Sequence, residues 1–297
     1  MSIISATRRG FLYQDRFAVA IYLEQLQARN VKEYFIDFPM GARKSLDIRY
    51  TDSHNDEAIY EVKSGEEFKR DARRKESSEV RDALINLKEY LDLKPSAKLN
   101  LIIRRGFVGN ITTYWDKLTF VRTHAFQNST REINWLHGKL RLPGITTPRA
   151  LFDFCQRITI DDFGDDELSN EGDHFPDIDD FVLQKINDLS VTFTANACNF
   201  EYPAQILMHD LYHQCRLYAG LGQDVNPIFT NAIAEFIAHR KFLDANYTAG
   251  PNRNRTKEDL RREVNQEIEN YLRGTTSVAP QIVQTPQYTP EGGTTPT

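Results

Sequence analysis

Cysteine is scarce in this 297-residue chain: Cys155, Cys198 and Cys215 are too few and too scattered for a disulfide framework or a CxxC zinc pair. Such sparse thiols point to a reducing compartment, and a cytoplasmic location is expected. Long hydrophobic runs are missing too. No apolar stretch approaches the roughly 18 residues needed to span a bilayer. The N-terminus, MSIISATRRGFLYQDRF, lacks the basic start, apolar stretch and small-residue cleavage site of a secretory signal. There is no internal repeat, and nothing reads as a base-reading helix-turn-helix or zinc finger.

What is present suits a folded, core-forming protein: 40% hydrophobic, 27% charged and 11% aromatic residues. The length allows one large domain or two modest ones. Net charge is −5, which by itself speaks against a nucleic-acid binder, but the charge is unevenly distributed. Residues 1–160 hold 27 Lys+Arg against 20 Asp+Glu (+7), and residues 161–297 hold 10 against 22 (−12), which sum to −5. The split suggests two units with different partners; drift in surface composition would also produce it.

Residues 10–30 carry Phe11, Ala18, Ile21, Tyr22 and Leu26 near helical spacing, so a helix is expected. EYFIDFP (33–39) reads as a strand closed by Pro39, and KSLDIRY (44–50) with EAIYEVK (57–63) reads as a hairpin around TDSHND. A helix from about Ser77 to Asp92, an apolar strand at 98–106, a helix at 110–126, a loop-rich stretch and a strand at 155–163 follow. This order predicts a mixed α/β sheet flanked by helices over residues 1–165. Residues 161–180 hold ten carboxylates with Gly and Pro, and 166–180 is read as an acidic linker. It is a plain solvated connection or a mask over a basic cleft. Four helices are expected over 181–274, starting near Asp177, Pro203 and Thr256, with stops at Gly220 and Gly274. Residues 275–297, rich in proline with one charge, are expected to be a disordered tail.

The hairpin poses the functional question, because Asp47, Glu61 and Lys63 stand where Ile or Val would pack better. A turn centred on His54 places Asp47 across from Glu61, and opposed Cβ atoms on one face lie ~4.5–5.5 Å apart. Lys63, two residues beyond Glu61, shares that face. Two carboxylates so close repel unless a positive group lies beside them, and Mg2+ (or Mn2+) with retained waters suits them. Lys63 could then position an attacking water or neutralise charge on a phosphate. A solvated edge hairpin with a surface ion pair is the alternative.

The arrangement Asp-x(13)-Glu-Val-Lys after a first helix resembles the PD-(D/E)xK nuclease superfamily, although Leu46 stands where that family often has Pro. Gly-Phe-x-Tyr-Gln at 10–14, LDIRY at 46–50, EVKSG at 61–65 and ITIDDF at 158–163 look like the double-stranded-DNA endonuclease domain of bacterial anti-phage effectors. The CBASS effectors and the Lamassu nuclease subunit are of that type. The likeness covers roughly residues 8–165. It implies a restriction-endonuclease-like core, an all-α C-terminal domain for partners or oligomerisation, and Mg2+-dependent cleavage of DNA with little sequence specificity. Asp47 and Glu61 would hold the metal and Lys63 would assist the water. Partners would be double-stranded DNA and other defence subunits such as an SMC-like ATPase, or further copies of the chain bound through 181–274. A stand-alone restriction or repair nuclease and a catalytically inactive scaffold are the alternatives.

Other residues have two readings each. Gln14 and Glu24 on the first helix serve as extra metal or water ligands, or as solvated surface. Lys69, Arg70, Arg73, Arg74 and Lys75 contact a phosphate backbone or form a charged loop. Arg104 and Arg105 reach a scissile phosphate or cap the sheet. His209 and His213 have zinc-pair spacing, but with Leu207 and Leu211 between and beside them a core or interface position is expected.

Overall fold

The computed structural model describes residues 3–41, 44–63, 72–103, 113–161, 176–194, 201–247 and 256–273. Helix α1 (Ile3–Gln27) leads into strands β1 (Glu33–Gly41), β2 (Lys44–Thr51) and β3 (Glu57–Lys63). Then come α2 (Ala72–Leu93), β4 (Lys98–Ile103), α3 (Thr113–Thr123), α4 (Thr130–Leu140), α5 (Pro148–Cys155) and β5 (Ile158–Asp161). Four helices follow: α6 (Pro176–Thr194), α7 (Glu201–Tyr218), α8 (Asn226–Tyr247) and α9 (Lys257–Leu272). The strands lie in the order β1-β2-β3-β4-β5, antiparallel across the first two pairings and parallel across the last two. The expected mixed sheet with flanking helices and a helical C-terminal part is present.

Each face of the sheet carries its own core. On one face Ile59, Leu99 and Leu101 pack with Leu84 and Leu87 of α2, Leu118 of α3, Leu136 of α4 and Phe154 of α5. On the other, Ile48, Tyr50, Val62 and Ile102 meet α1, and the same cluster continues into α6–α9 through Val182, Leu211, Phe229 and Val264. The acidic helices therefore bury their apolar faces against α1, the sheet and one another. Three consecutive residues of α1 help fix this: Asp15 pairs with Arg216 of α7 at 2.8 Å, and buried Arg16 with buried Asp179 of α6 at 2.9 Å, while Gln14 faces the strands. Tyr212 adds a hydroxyl to Asp179 at 2.8 Å.

Strand β1 is an edge, and an open edge invites pairing with another chain. The connection from α7 to α8 covers it. Val225 N–H donates to Tyr34 O at 2.8 Å, Gly220 N–H to Ile36 O at 3.3 Å, and Tyr34 N–H to Asp224 Oδ1 at 2.9 Å. Gly222 lies within this cover at φ +63, and a Cβ there would sit 3.3 Å from Pro39 Cγ.

Two expectations need correction. The stretch after α3 is not loop-rich, since α4 buries Ile133, Leu136 and Leu140, and α5 opens on a Thr147 cap with Pro148 in its first turn. Gly138, Pro143 and Gly144 obscure that periodicity in the sequence. Residues 176–180 of the expected linker begin α6, and 166–175 lie outside the described residues, as does the tail from 274. The expected capping box at Thr256–Asp259 is present. Among the described residues no helix is long and apolar enough to cross a membrane.

Asp179→Ala would remove the buried carboxylate to which Arg16 Nε donates. Removing one partner of a buried pair costs about 3–5 kcal/mol, and urea unfolding should show a loss of that size.

Candidate metal centre

The hairpin closes on Asp52, whose Oδ1 accepts from the backbone N–H of His54 and of Asp56, each at 2.8 Å. Asn55 takes the left-handed conformation, φ 66, that an Asx side chain tolerates. This turn sets the register: Thr51 pairs with Glu57, Tyr50 with Ala58, Arg49 with Ile59 and Ile48 with Tyr60. The backbone pairing runs as far as Ile48 and Tyr60, and Asp47 and Glu61 are the next residue on each strand. Beyond Ile48 the carboxylate of Asp47 itself takes a β3 amide, with Val62 N–H donating to Oδ2 at 2.6 Å.

Lys63 ties the pair together. Its Nζ donates to Glu61 Oε2 at 2.8 Å and to Asp47 Oδ2 at 3.4 Å. From α1, Gln14 Nε2 donates to Asp47 Oδ1 at 3.1 Å and to Val62 O at 3.2 Å. From α2, Asn86 Nδ2 donates to Glu61 Oε1 at 3.1 Å and to Ser45 O at 3.4 Å. Glu61 is 1% exposed. A carboxylate there would be expelled or neutralised without these donors. Even with them, burial pushes its carboxyl up to about 7; Lys63 and Asn86 oppose the rise and Asp47 adds to it.

One lysine offsets one of the two carboxylates, so the cluster carries a net negative charge when both are ionised. A carboxylate has about four lone-pair sites. The hydrogen bonds above leave acceptor capacity on Asp47 Oδ1 and on both oxygens of Glu61. All-oxygen donors of this kind fit a hard cation. Among the described residues no group of three or more His, Cys, Asp or Glu is placed to hold a metal. A cation here would therefore keep most of its waters, as Mg2+ does.

Asp47, Glu61, Lys63 and Gln14 are thus brought together as the sequence suggests. Glu24 is not: it is exposed, ten residues or about 15 Å further along α1. It borders a separate cavity of about 230 Å³ with Phe17, Tyr60, Asn100 and Phe181. Its expected role as a metal ligand is corrected accordingly. His209 and His213 face solvent on α7, neither in the core nor joined with other metal-ligating groups. Arg73, Arg74 and Lys75 fall in the first turn of α2, where the backbone alone is described. Lys69, Arg70, Arg104 and Arg105 lie outside the described residues.

Two residues of the site escape sequence reasoning. Asn86 carries no signal, being one polar residue in an ordinary amphipathic helix. Asp37 does carry one, as a carboxylate in the apolar strand FIDFP. Ile36 pairs with Ile48 and Phe38 with Leu46, so Asp37 lies level with Asp47 on the far side from Glu61. Asp37 is half-buried in the left-handed conformation, φ 48. Burial first, then the charges of Asp47 and Asp15, push its carboxyl up to about 6.

No protein-family model matches the chain, and no curated protein matches it. Among solved structures it is similar to that of the Acinetobacter baumannii Cap4 SAVED/CARF-domain-containing receptor with the cyclic trinucleotide 3'3'3'-cAAA. Sequence identity is 15% and the TM-score 0.47, over 90% of this chain and 59% of that one. The chain thus spans under two thirds of that protein's length.

These findings correct the identification drawn from the motif. Membership of the PD-(D/E)xK superfamily is not upheld: no family model matches the chain, and the solved structure named above is that of a receptor with a cyclic trinucleotide. The DNA-endonuclease effector function falls with it, together with double-stranded DNA and an SMC-like ATPase as partners. Neither a stand-alone nuclease nor an inactive scaffold fits better. At that identity and TM-score the receptor's ligand is not carried over to this chain.

Because the Asp37 carboxyl sits above its ordinary value, its contribution to stability is complete at low pH and is lost as pH rises through about 6. Asn tolerates the same backbone conformation. Thermal melts in EDTA should show Asp37→Asn matching the wild type near pH 4. By pH 8 the variant should be the more stable by on the order of 1 kcal/mol, allowing for solvent screening.

Proposed function

We propose that Asp47, Glu61 and Lys63 form a Mg2+- or Mn2+-dependent hydrolytic centre acting on a phosphate ester. The observation that carries this reading is the bridging of two inward-facing carboxylates, one of them 1% exposed, by a single lysine. A purely structural hairpin gains little from such a cluster, since well-packed apolar residues are as stable as a buried ion group or more so. Asp47 Oδ1 and the Glu61 carboxylate supply the oxygens. Gln14 and Asn86 fix their rotamers from opposite sides of the sheet. The bound cation would supply Lewis acidity and a water of lowered pKa. Lys63 is placed to hold that water or a phosphoryl oxygen and to offset charge building on the ester.

The test uses the full chain with bis-p-nitrophenyl phosphate and p-nitrophenyl phosphate, with and without Mn2+ or Mg2+. Release of p-nitrophenol should require the cation, and Lys63→Ala and Glu61→Gln should each lower the rate by at least ~100-fold, in the range of a positioned acid–base group. In calorimetry Glu61→Gln should also weaken Mn2+ binding by about 10-fold or more. Hydrolysis that is indifferent to cation or to both substitutions would refute the reading.

A further inference from the structure

The cavity of about 230 Å³ that Glu24 borders opens between α1, α6 and the sheet, on the sheet face away from α2. At ~30 Å³ per water it has room for about eight waters, or for one six-membered ring with a small substituent. Its floor is a polar row fixed by strand register. Tyr60 of β3 pairs with Asn100 of β4, and Asn100 with Thr159 of β5. Asparagine is disfavoured inside a strand, and here it interrupts the apolar run LNLII (99–103). Asn100 Nδ2 donates to Ile59 O at 3.1 Å, which leaves Oδ1 to accept. The exposed residues Thr159 and Glu24 add a hydroxyl and a carboxylate.

Three aromatic rings complete the lining: Phe17, Tyr60 and Phe181. The Tyr60 ring is held in place. It stacks on Tyr50 with centroids 6.2 Å apart, hydrogen-bonds the Tyr50 side chain, and meets Phe17 at 6.4 Å. Aromatic faces attract cations. The Phe181 ring already receives one, with Lys185 Nζ 5.1 Å from its centroid. Lys185 does not line the cavity, and no positively charged side chain does among the described residues. Apolar walls with a few convergent polar groups are typical of small-molecule sites. Here the polar groups offer a carboxylate, an amide oxygen and a hydroxyl to a donor. We infer that this cavity binds a small aromatic cation, a single ring bearing a protonated amine or amidine. The ring lies among Phe17, Tyr60 and Phe181, and its N–H groups donate to Glu24 and Asn100 Oδ1. The site is separate from the Asp47 cluster, whose side chains do not line it.

Benzamidine is the probe, with neutral benzamide and anionic benzoate beside it, and binding to the full chain is followed by ligand-observed NMR. Benzamidine should bind with a Kd of about 1 mM or tighter, as suits so small a ligand. Benzamide should bind more weakly and benzoate least. Glu24→Gln removes an exposed charge and should weaken benzamidine by about 3–5-fold. Thr159→Trp places a large ring across the cavity from an exposed position and should abolish binding. Thermal melts check that both variants fold. No benzamidine binding by the wild type would overturn the inference, as would equal binding of benzamide. Binding that survives Thr159→Trp would place the ligand elsewhere and overturn it too. An unchanged affinity in Glu24→Gln would overturn the role of the carboxylate and with it the selection for a cation.

Discussion

Two carboxylates facing each other across β2 and β3 repel, and the surrounding structure is organised to contain that repulsion. Four donors among the described residues converge on them: Lys63 from β3, the Val62 amide, Gln14 from α1 and Asn86 from α2. These donors come from both faces of the sheet, so the cluster is clamped between layers that belong to different cores. Compensation is nonetheless incomplete. Burial keeps Glu61 a reluctant anion, so a proton on Glu61 or a cation beside it balances the charge.

Helix α1 joins this cluster to the rest of the molecule. Gln14 holds Asp47, Asp15 holds Arg216 of α7, and Arg16 holds Asp179 of α6. Three adjacent side chains thus link the strand carboxylates with the acidic helical part. Further along, Tyr22 donates to Asn226 Oδ1 at 2.9 Å and meets Phe229 edge-on at 4.8 Å. The apolar faces of α6–α9 are spent on α1, on the sheet and on one another. Exposed apolar side chains on this part include Ile206 and Leu217 on α7 and Leu221 just after it.

The hairpin was legible because a symmetric polar turn and a period-two pattern fix the register, which in turn fixes which side chains meet. Strand β3 begins and ends at the residues expected, Glu57 and Lys63. Asn86 was not legible, because a contact between residues 25 apart depends on how α2 lies over the sheet. Asp37 was legible only in type, as a carboxylate within an apolar strand, and it was passed over because its place beside Asp47 depends on the β1–β2 pairing. Helices α4 and α5 were hidden by glycine and proline that lie within α4 or between the two. The family resemblance shows a separate lesson. A short acidic-lysine motif can point to a real cluster of side chains without establishing the family or the substrate.

The claim that organises this account is that a cation binds between Asp47 and Glu61. A crystal of the full chain soaked in Mn2+ and measured for anomalous scattering tests it most directly. The account predicts a single strong peak about 2.0–2.3 Å from Asp47 Oδ1 and a Glu61 oxygen, a distance range set by hard-cation coordination. It also predicts waters on the remaining positions and Lys63 displaced toward one carboxylate. No peak at the site, with Lys63 Nζ still bridging both carboxylates, would contradict it and leave the cluster a purely structural ion network.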